Sequence, residues 1–257
     1  MQYRTLWAFV SIITFVVSSA CGGGDSGSET STTPAIPPPP AFDPATAGSV
    51  MGMITLEGTP PEPENIRMSS DPTCVERATN TTTEYYVVGD SGGLGNVFIY
   101  IKEGLGARNF PAATDTLTLD QAGCRYMPHV FGIRVGQTLE IVNSDPTLHN
   151  IHATPAVNEE FNTGQPIEGM RFERTFDAPE VMVPFKCDVH GWMNAYVGVL
   201  EHPYFTVTSD DGKFDISSLP PGDYVVEAWH EELGTQTQNI TVGEGATAEL
   251  NFTFTIS

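Results

Sequence analysis

Basic residues are scarce in this chain of 257 residues: Lys and Arg number 11 against 32 Asp and Glu, for a formal net charge of -21. So acidic a chain is repelled by phosphate backbones and bare anionic membrane, which excludes nucleic acid as a partner. The acids are spread along the sequence, the pattern of a solvated surface. Histidine is also sparse at 6, and cysteine at 4. No phosphate loop, nucleophile elbow or helix carrying two His and a Glu occurs, which removes the common signatures of catalysis. Past residue 20 no apolar run is long enough to span a bilayer, and no segment shows a helical period.

What is present begins with an export signal. Met1 to Ala20 combine Arg4, an apolar run from Leu6 to Val17, and Ser18-Ser19-Ala20 directly before Cys21. Small residues before a cysteine resemble a bacterial lipobox, although Ser18 stands where that pattern prefers Leu. The resemblance implies that residues 1–20 are removed and that Cys21 carries the lipid, the chain's one membrane attachment in the cell envelope. Gly22 in place of Asp after it implies the outer membrane, facing periplasm or exterior. Residues 21–47 are Gly, Ser, Thr and Pro, with Pro37 to Pro40 in a row, and read as a linker spanning roughly 25–30 Å.

From Gly48 onward short apolar runs alternate with turn residues: Ser49 to Leu56, Tyr85 to Val88, Asn96 to Ile101, Thr116 to Leu119, Val130 to Val135 and Thr138 to Val142. This spacing predicts an all-β sandwich or barrel. Gly136-Gln137 reads as a tight turn that makes its flanking strands neighbours. The run Arg171 to Phe176, Glu180 to Lys186, a loop, and Ala195 to Leu200 predicts a hairpin with the loop at one end of a sandwich. From Glu201 the rhythm changes to closely spaced strands. The last of them alternates Leu250, Phe252, Phe254 and Ile256 with polar residues, so one face is buried.

The hairpin loop holds the chemistry. Between Phe185 and Met193 it sets a thiolate (Cys187), an imidazole (His190) and a thioether (Met193) at the spacing Cys-x2-His-x2-Met. Upstream, His149-Asn150-Ile151-His152 offers a second imidazole. One Cys, two His and a weak Met are the ligand set of a mononuclear blue-copper site, in which copper cycles between Cu(I) and Cu(II). Asn150 is placed to hydrogen-bond across to the backbone or to Asp188, bracing the ligands from outside. An exported chain keeps disulfides, and Cys74 with Cys124 is the natural pair if Cys187 holds metal. Such a bridge contributes roughly 3–4 kcal/mol in the chain-entropy model.

These two motifs resemble the cupredoxins, with a loop spacing similar to amicyanin, over about Val130 to Leu200. The resemblance implies a Greek-key β-sandwich with His149, Cys187, His190 and Met193 as copper ligands. It also implies electron exit through His190 if its ring edge reaches the surface. Residues 48–61 and 211–224, the latter containing Leu219-Pro-Pro-Gly222, are similar to carboxypeptidase regulatory-like, transthyretin-like β modules, which implies a small second sandwich. The expected organisation is an N-terminal β region at 48–125, belonging to either module, a cupredoxin core at 126–200 and a regulatory-like module at 201–257. The regulatory-like module is either split around the core or follows it.

Six histidines are too few for a multicopper oxidase's trinuclear cluster, and one loop cysteine does not make a binuclear centre. The leading expectation is therefore not an enzyme but a carrier of single electrons, with a c-type cytochrome or a dehydrogenase as redox partner. Its rivals are a copper-storage or resistance protein without redox turnover and a metal-free structural or glycan-binding module. His152 is the alternative to His149, and the Asn150 brace favours His149. Trp192 reads either as an exposed electron-transfer contact beside His190 or as a cover for the metal. His129, His202 and His230 read as structural or surface residues, and whether Met193 touches the metal stays open.

Overall fold

The structure is a computed structural model that describes residues 43–256; Cys21, the export signal and the linker up to residue 42 lie outside the described residues. The described chain is built almost wholly of strands, arranged as two β-sandwiches. In the first, a five-stranded sheet contains Val130–Arg134, Asn194–Leu200, Glu180–Lys186, His149–Ala153 and Phe161–Gln165, in that spatial order. It faces a four-stranded sheet of Arg125–Met127, Leu117–Ala122, Leu139–Asn143 and Arg171–Arg174. Leu119, Leu139 and Ile141 from one sheet meet Phe131, Ile133, Ile151, Val183, Phe185 and Val197 from the other in one buried core. Cys74 and Cys124 belong to the same core and form a disulfide.

The second sandwich draws strands from both ends of the chain. Gly48–Glu57 pairs with Lys213–Leu219, Thr247–Glu249 and Phe252–Thr255. The facing sheet sets Phe98–Glu103 between Phe205–Val207 and Gly222–His230, with Gly234–Val242 at its edge. Period-two alternation drives both. Phe252 and Phe254 are buried while Thr253 and Thr255 face water, and Phe214 and Ile216 alternate with exposed Lys213 and Asp215. A boundary at 125/126 cuts through the first sandwich, because Leu117–Ala122 pairs with both Arg125–Met127 and Leu139–Asn143.

The strand Phe98–Glu103 is buried on both faces from Phe98 to Ile101, which joins the two sandwiches. Ile99 and Ile101 enter the second core, whereas Phe98 and Tyr100 point the other way, into a cluster with Val130, Met182 and Leu200. The approach is close because the facing strands carry glycine. A Cβ at Gly198 would lie 2.4 Å from Phe98, and one at Gly132 would lie 2.5 Å from Phe205.

Three local expectations change. Val130–Arg134 and Leu139–Asn143 lie in different sheets, because the turn at Gly136 (φ 75°) carries the chain across the core instead of back along one sheet. There Gly136 N–H donates to Phe176 and Val135 N–H to Leu200. Tyr85 to Val88 forms no strand, only an isolated bridge from Val88 to Leu94. A short helix, Pro72–Arg77, stands where no helical period was visible. Six residues are too few to show one, and its signal is instead the Asp71-Pro72 cap, with Asp71 Oδ1 accepting from Thr73 N–H at 2.8 Å.

Candidate metal centre

Local pairing sets the loop. Phe185 pairs with Ala195 and Lys186 with Asn194, so the hairpin delivers Cys187 and Met193 to opposite sides of its mouth. Cys187 N–H donates to Met193 O at 3.0 Å and Met193 N–H to His190 O at 2.9 Å, closing the loop on itself. The neighbouring strand brings His152 opposite Lys186 and Ala153 opposite Phe185, which leaves His149 at the same end. All four candidate ligands are buried: His149 at 0%, Cys187 and His190 at 2% and Met193 at 1% exposure.

The Nδ1 atoms of His149 and His190 face each other at 3.0 Å, and His190 Nδ1 lies 4.0 Å from Cys187 Sγ. His149, Cys187 and His190 together form a group that could hold a metal ion. On the outer side of each ring stands a carboxylate. His149 Nε2–H donates to Asp145 Oδ2 at 3.0 Å and His190 Nε2–H to Asp71 Oδ2 at 3.1 Å. A carboxylate at Nε2 fixes the tautomer, so each Nδ1 presents a lone pair inward. Two lone pairs at that separation repel unless a cation lies between them. For bonds of about 2.0–2.3 Å, ligand atoms around one ion stand roughly 3–4 Å apart, and this donor set has that spacing.

The thiol is tuned in the same direction. Burial pushes Cys187 up, but its contacts with the His149 and His190 side chains and the N–H groups of Asn150 and His190 outweigh it and lower the thiol to about 6. Burial pushes His149 down, yet Asp145 and Cys187 raise it above the usual histidine value. Asp145 is desolvated, but His149 and the N–H groups of Cys124 and Gly123 keep its carboxyl below the ordinary range.

Around this group Asn150 Oδ1 accepts the Asp188 N–H at 2.7 Å and lies 3.2 Å from Cys187 Sγ. Asn150 Nδ2 donates to Asn162 Oδ1 at 2.8 Å. His152 points away from the cavity, its Nδ1 2.9 Å from Asp188 Oδ2 and its Nε2 3.0 Å from Glu160 Oε1.

Exit through His190 fails its own condition, because the ring edge does not reach the surface. The turn before the Pro72–Arg77 helix covers it, with Asp71 on Nε2 and Cys74 Sγ 3.6 Å from the same atom. Trp192 is half-buried, its ring centroid 5.1 Å from that of His190 and its Nε1–H donating to Cys124 O at 3.1 Å. It therefore both covers the His190 ring and remains partly exposed. Asp71 and Asp145 are the residues of this group that sequence reasoning missed. Asp145 had a weak signal in its position four residues before His149.

The remaining histidines sit elsewhere. His129 contacts the nearly buried Glu231 at 2.5 Å and Asn194 O at 3.0 Å. His202 and His230 are held by desolvation at about 4.

Residues 193–255 match the model of the carboxypeptidase regulatory-like domain. No curated protein matches the chain. Among solved structures, the chain is similar to a Cu-containing nitrite reductase (NirK) from Thermus scotoductus SA-01. Identity is 26% over 38% of this chain, with a TM-score of 0.32, and the chain spans 25% of that protein. It is also similar to a mutant amicyanin in the Cu(I) state, at 20% identity over 39% of this chain and 97% of that one, TM-score 0.30. A purple cupredoxin from Nitrosopumilus maritimus is 26% identical over 32% of this chain and 98% of that one, TM-score 0.28.

Proposed function

We propose that the chain is a mononuclear blue-copper protein that carries single electrons between redox partners in the bacterial cell envelope. On this reading it is tethered through lipid at Cys21 and is not an enzyme. The observation that carries it is His149 Nδ1 and His190 Nδ1 opposed at 3.0 Å beside the thiol of Cys187, all three residues buried. Such a donor set accepts one soft cation in place of a proton. His149, Cys187 and His190 would hold the copper, with Met193 as the weak fourth contact, and bound copper supplies one-electron uptake and release. The chain's own contribution is rigidity. Asn150, Asp145 and Asp71 fix the ligands from outside, which keeps rearrangement small when the charge changes. Trp192, against His190 and partly exposed, is the electron's proposed way out to a partner such as a c-type cytochrome or a dehydrogenase.

One observation favours the storage reading: the outer edge of His190 is sealed. Voltammetry of the copper-loaded protein in the presence of a Cu(I) chelator separates the two. A carrier gives a reversible one-electron wave and retains its copper. A protein with no wave that surrenders its copper refutes electron carriage.

A further inference from the structure

The covering of His190 has a builder, the segment from Asp71 to Cys74. The two oxygens of Asp71 do different work. Oδ1 caps the Pro72–Arg77 helix through Thr73 N–H at 2.8 Å, an ordinary structural duty. Oδ2 is turned away from the helix, accepting Thr147 Oγ1–H at 2.6 Å and His190 Nε2–H at 3.1 Å. The segment is fixed from a second side by the Cys74–Cys124 disulfide. Cys124 in turn donates its N–H to Asp145 Oδ2 at 2.8 Å, the oxygen that holds His149. One staple thus ties together the carboxylates behind both imidazoles.

We propose that Asp71 is a positioning residue of the metal centre: it locks the His190 ring with Nδ1 inward, seals its outer edge, and lowers the reduction potential of the bound copper. This rests on the copper reading above. The physical reason is charge. A carboxylate hydrogen-bonded to a ligand's outer N–H makes the ligand more basic and stabilises the more highly charged oxidised state. The His190 ring is buried and the Asp71 side chain is 17% exposed, so solvent screens that interaction only in part. A mere helix cap would change stability and leave the potential alone.

The test uses the full chain as wild type, Asp71→Asn, Asp71→Glu and Asp71→Ala. Asparagine removes the charge and keeps one acceptor oxygen, which serves the Thr73 cap or His190 but not both. In the copper-loaded protein, Asp71→Asn should shift the equilibrium with a one-electron mediator about tenfold toward the reduced form, which corresponds to about 59 mV. Asp71→Glu, which restores the charge, should return most of that shift. In metal-free and Cu(I)-loaded protein, the His190 Nε2–H should give a slowly exchanging proton resonance that is lost in Asp71→Ala. An unchanged mediator equilibrium in folded Asp71→Asn overturns the proposal, and so does a wild-type Nε2–H that exchanges freely. Should Asp71→Asn not fold, the metal-free wild-type resonance decides. A chain that takes up no copper would sink the copper reading while leaving the resonance test able to support or refute the lock.

Discussion

Replacing Cys74 and Cys124 together by Ala removes the staple behind the metal centre, and its cost follows from the length of chain it closes. The two residues are 50 apart in sequence. The chain-entropy relation gives about 14 cal/mol/K for a loop of that length, hence about 4 kcal/mol at 25 °C. Both sulfurs are fully buried, so alanine is the appropriate replacement; serine would add the cost of burying hydroxyls. The assay is urea unfolding of the metal-free chain without reductant, followed by near-ultraviolet and far-ultraviolet signals. The first sandwich should lose about 4 kcal/mol, and its m-value should rise because the unfolded chain opens further. Copper affinity should fall as well, since the segments carrying Asp71 and Cys124 are released together. A loss under about 1 kcal/mol with unchanged m would refute the reasoning, showing that the intervening chain is restrained by other means.

Asn150→Ala leaves the Asp188 N–H without its acceptor and should cost roughly 1–2 kcal/mol in urea unfolding. It should also shift the visible spectrum of the copper form, and an unaltered spectrum and midpoint would count against the brace. Gly198→Ala drives a methyl into Phe98 and should cost about 1–3 kcal/mol. Phe98→Leu in the same chain should recover part of that, and a second change that merely adds its own cost would disprove the clash. Acid should weaken the metal-free protein through two buried histidines. His202 and His230, held at about 4, stay neutral in the folded chain while their unfolded forms protonate below about 6.5. Stability is therefore full above pH 6.5 and declines as the pH falls toward 4, by at most about 3 kcal/mol per residue. The raised His129 and His149 contribute fully throughout this window, and the lowered Asp71 and Asp145 lose their contribution only below it. His202→Asn with His230→Asn keeps an acceptor for the Tyr204 and Glu232 N–H groups and should flatten the decline. A slope equal to wild type would exclude these two histidines as its cause.

The donors of the loop are legible in sequence because Cys187, His190 and Met193 fall within seven residues between two strong strand signals, so local pairing alone brings them together. The alternation in Phe252–Thr255 is equally local, and it reveals a buried face without naming the strand it meets. What sequence does not show is set by long-range contact. Asp71 lies 119 residues from His190, in a turn whose Asp-Pro-Thr reads only as a helix cap. Burial of the His190 edge follows from that turn and its staple, so nothing within the loop announces it. The Gly136 turn resembles a hairpin because Gly-Gln supplies the same backbone freedom whether the chain returns within one sheet or crosses to the other.

On the proposed function one copper ion sits among His149, His190 and Cys187. X-ray absorption at the copper edge of the singly loaded protein tests it most directly. The expected shell is two nitrogen scatterers and one short sulfur, with the short sulfur and the intense thiolate-to-copper colour both absent in Cys187→Ser. A shell of nitrogen and oxygen alone in the wild type, or a short sulfur that survives in Cys187→Ser, would contradict it.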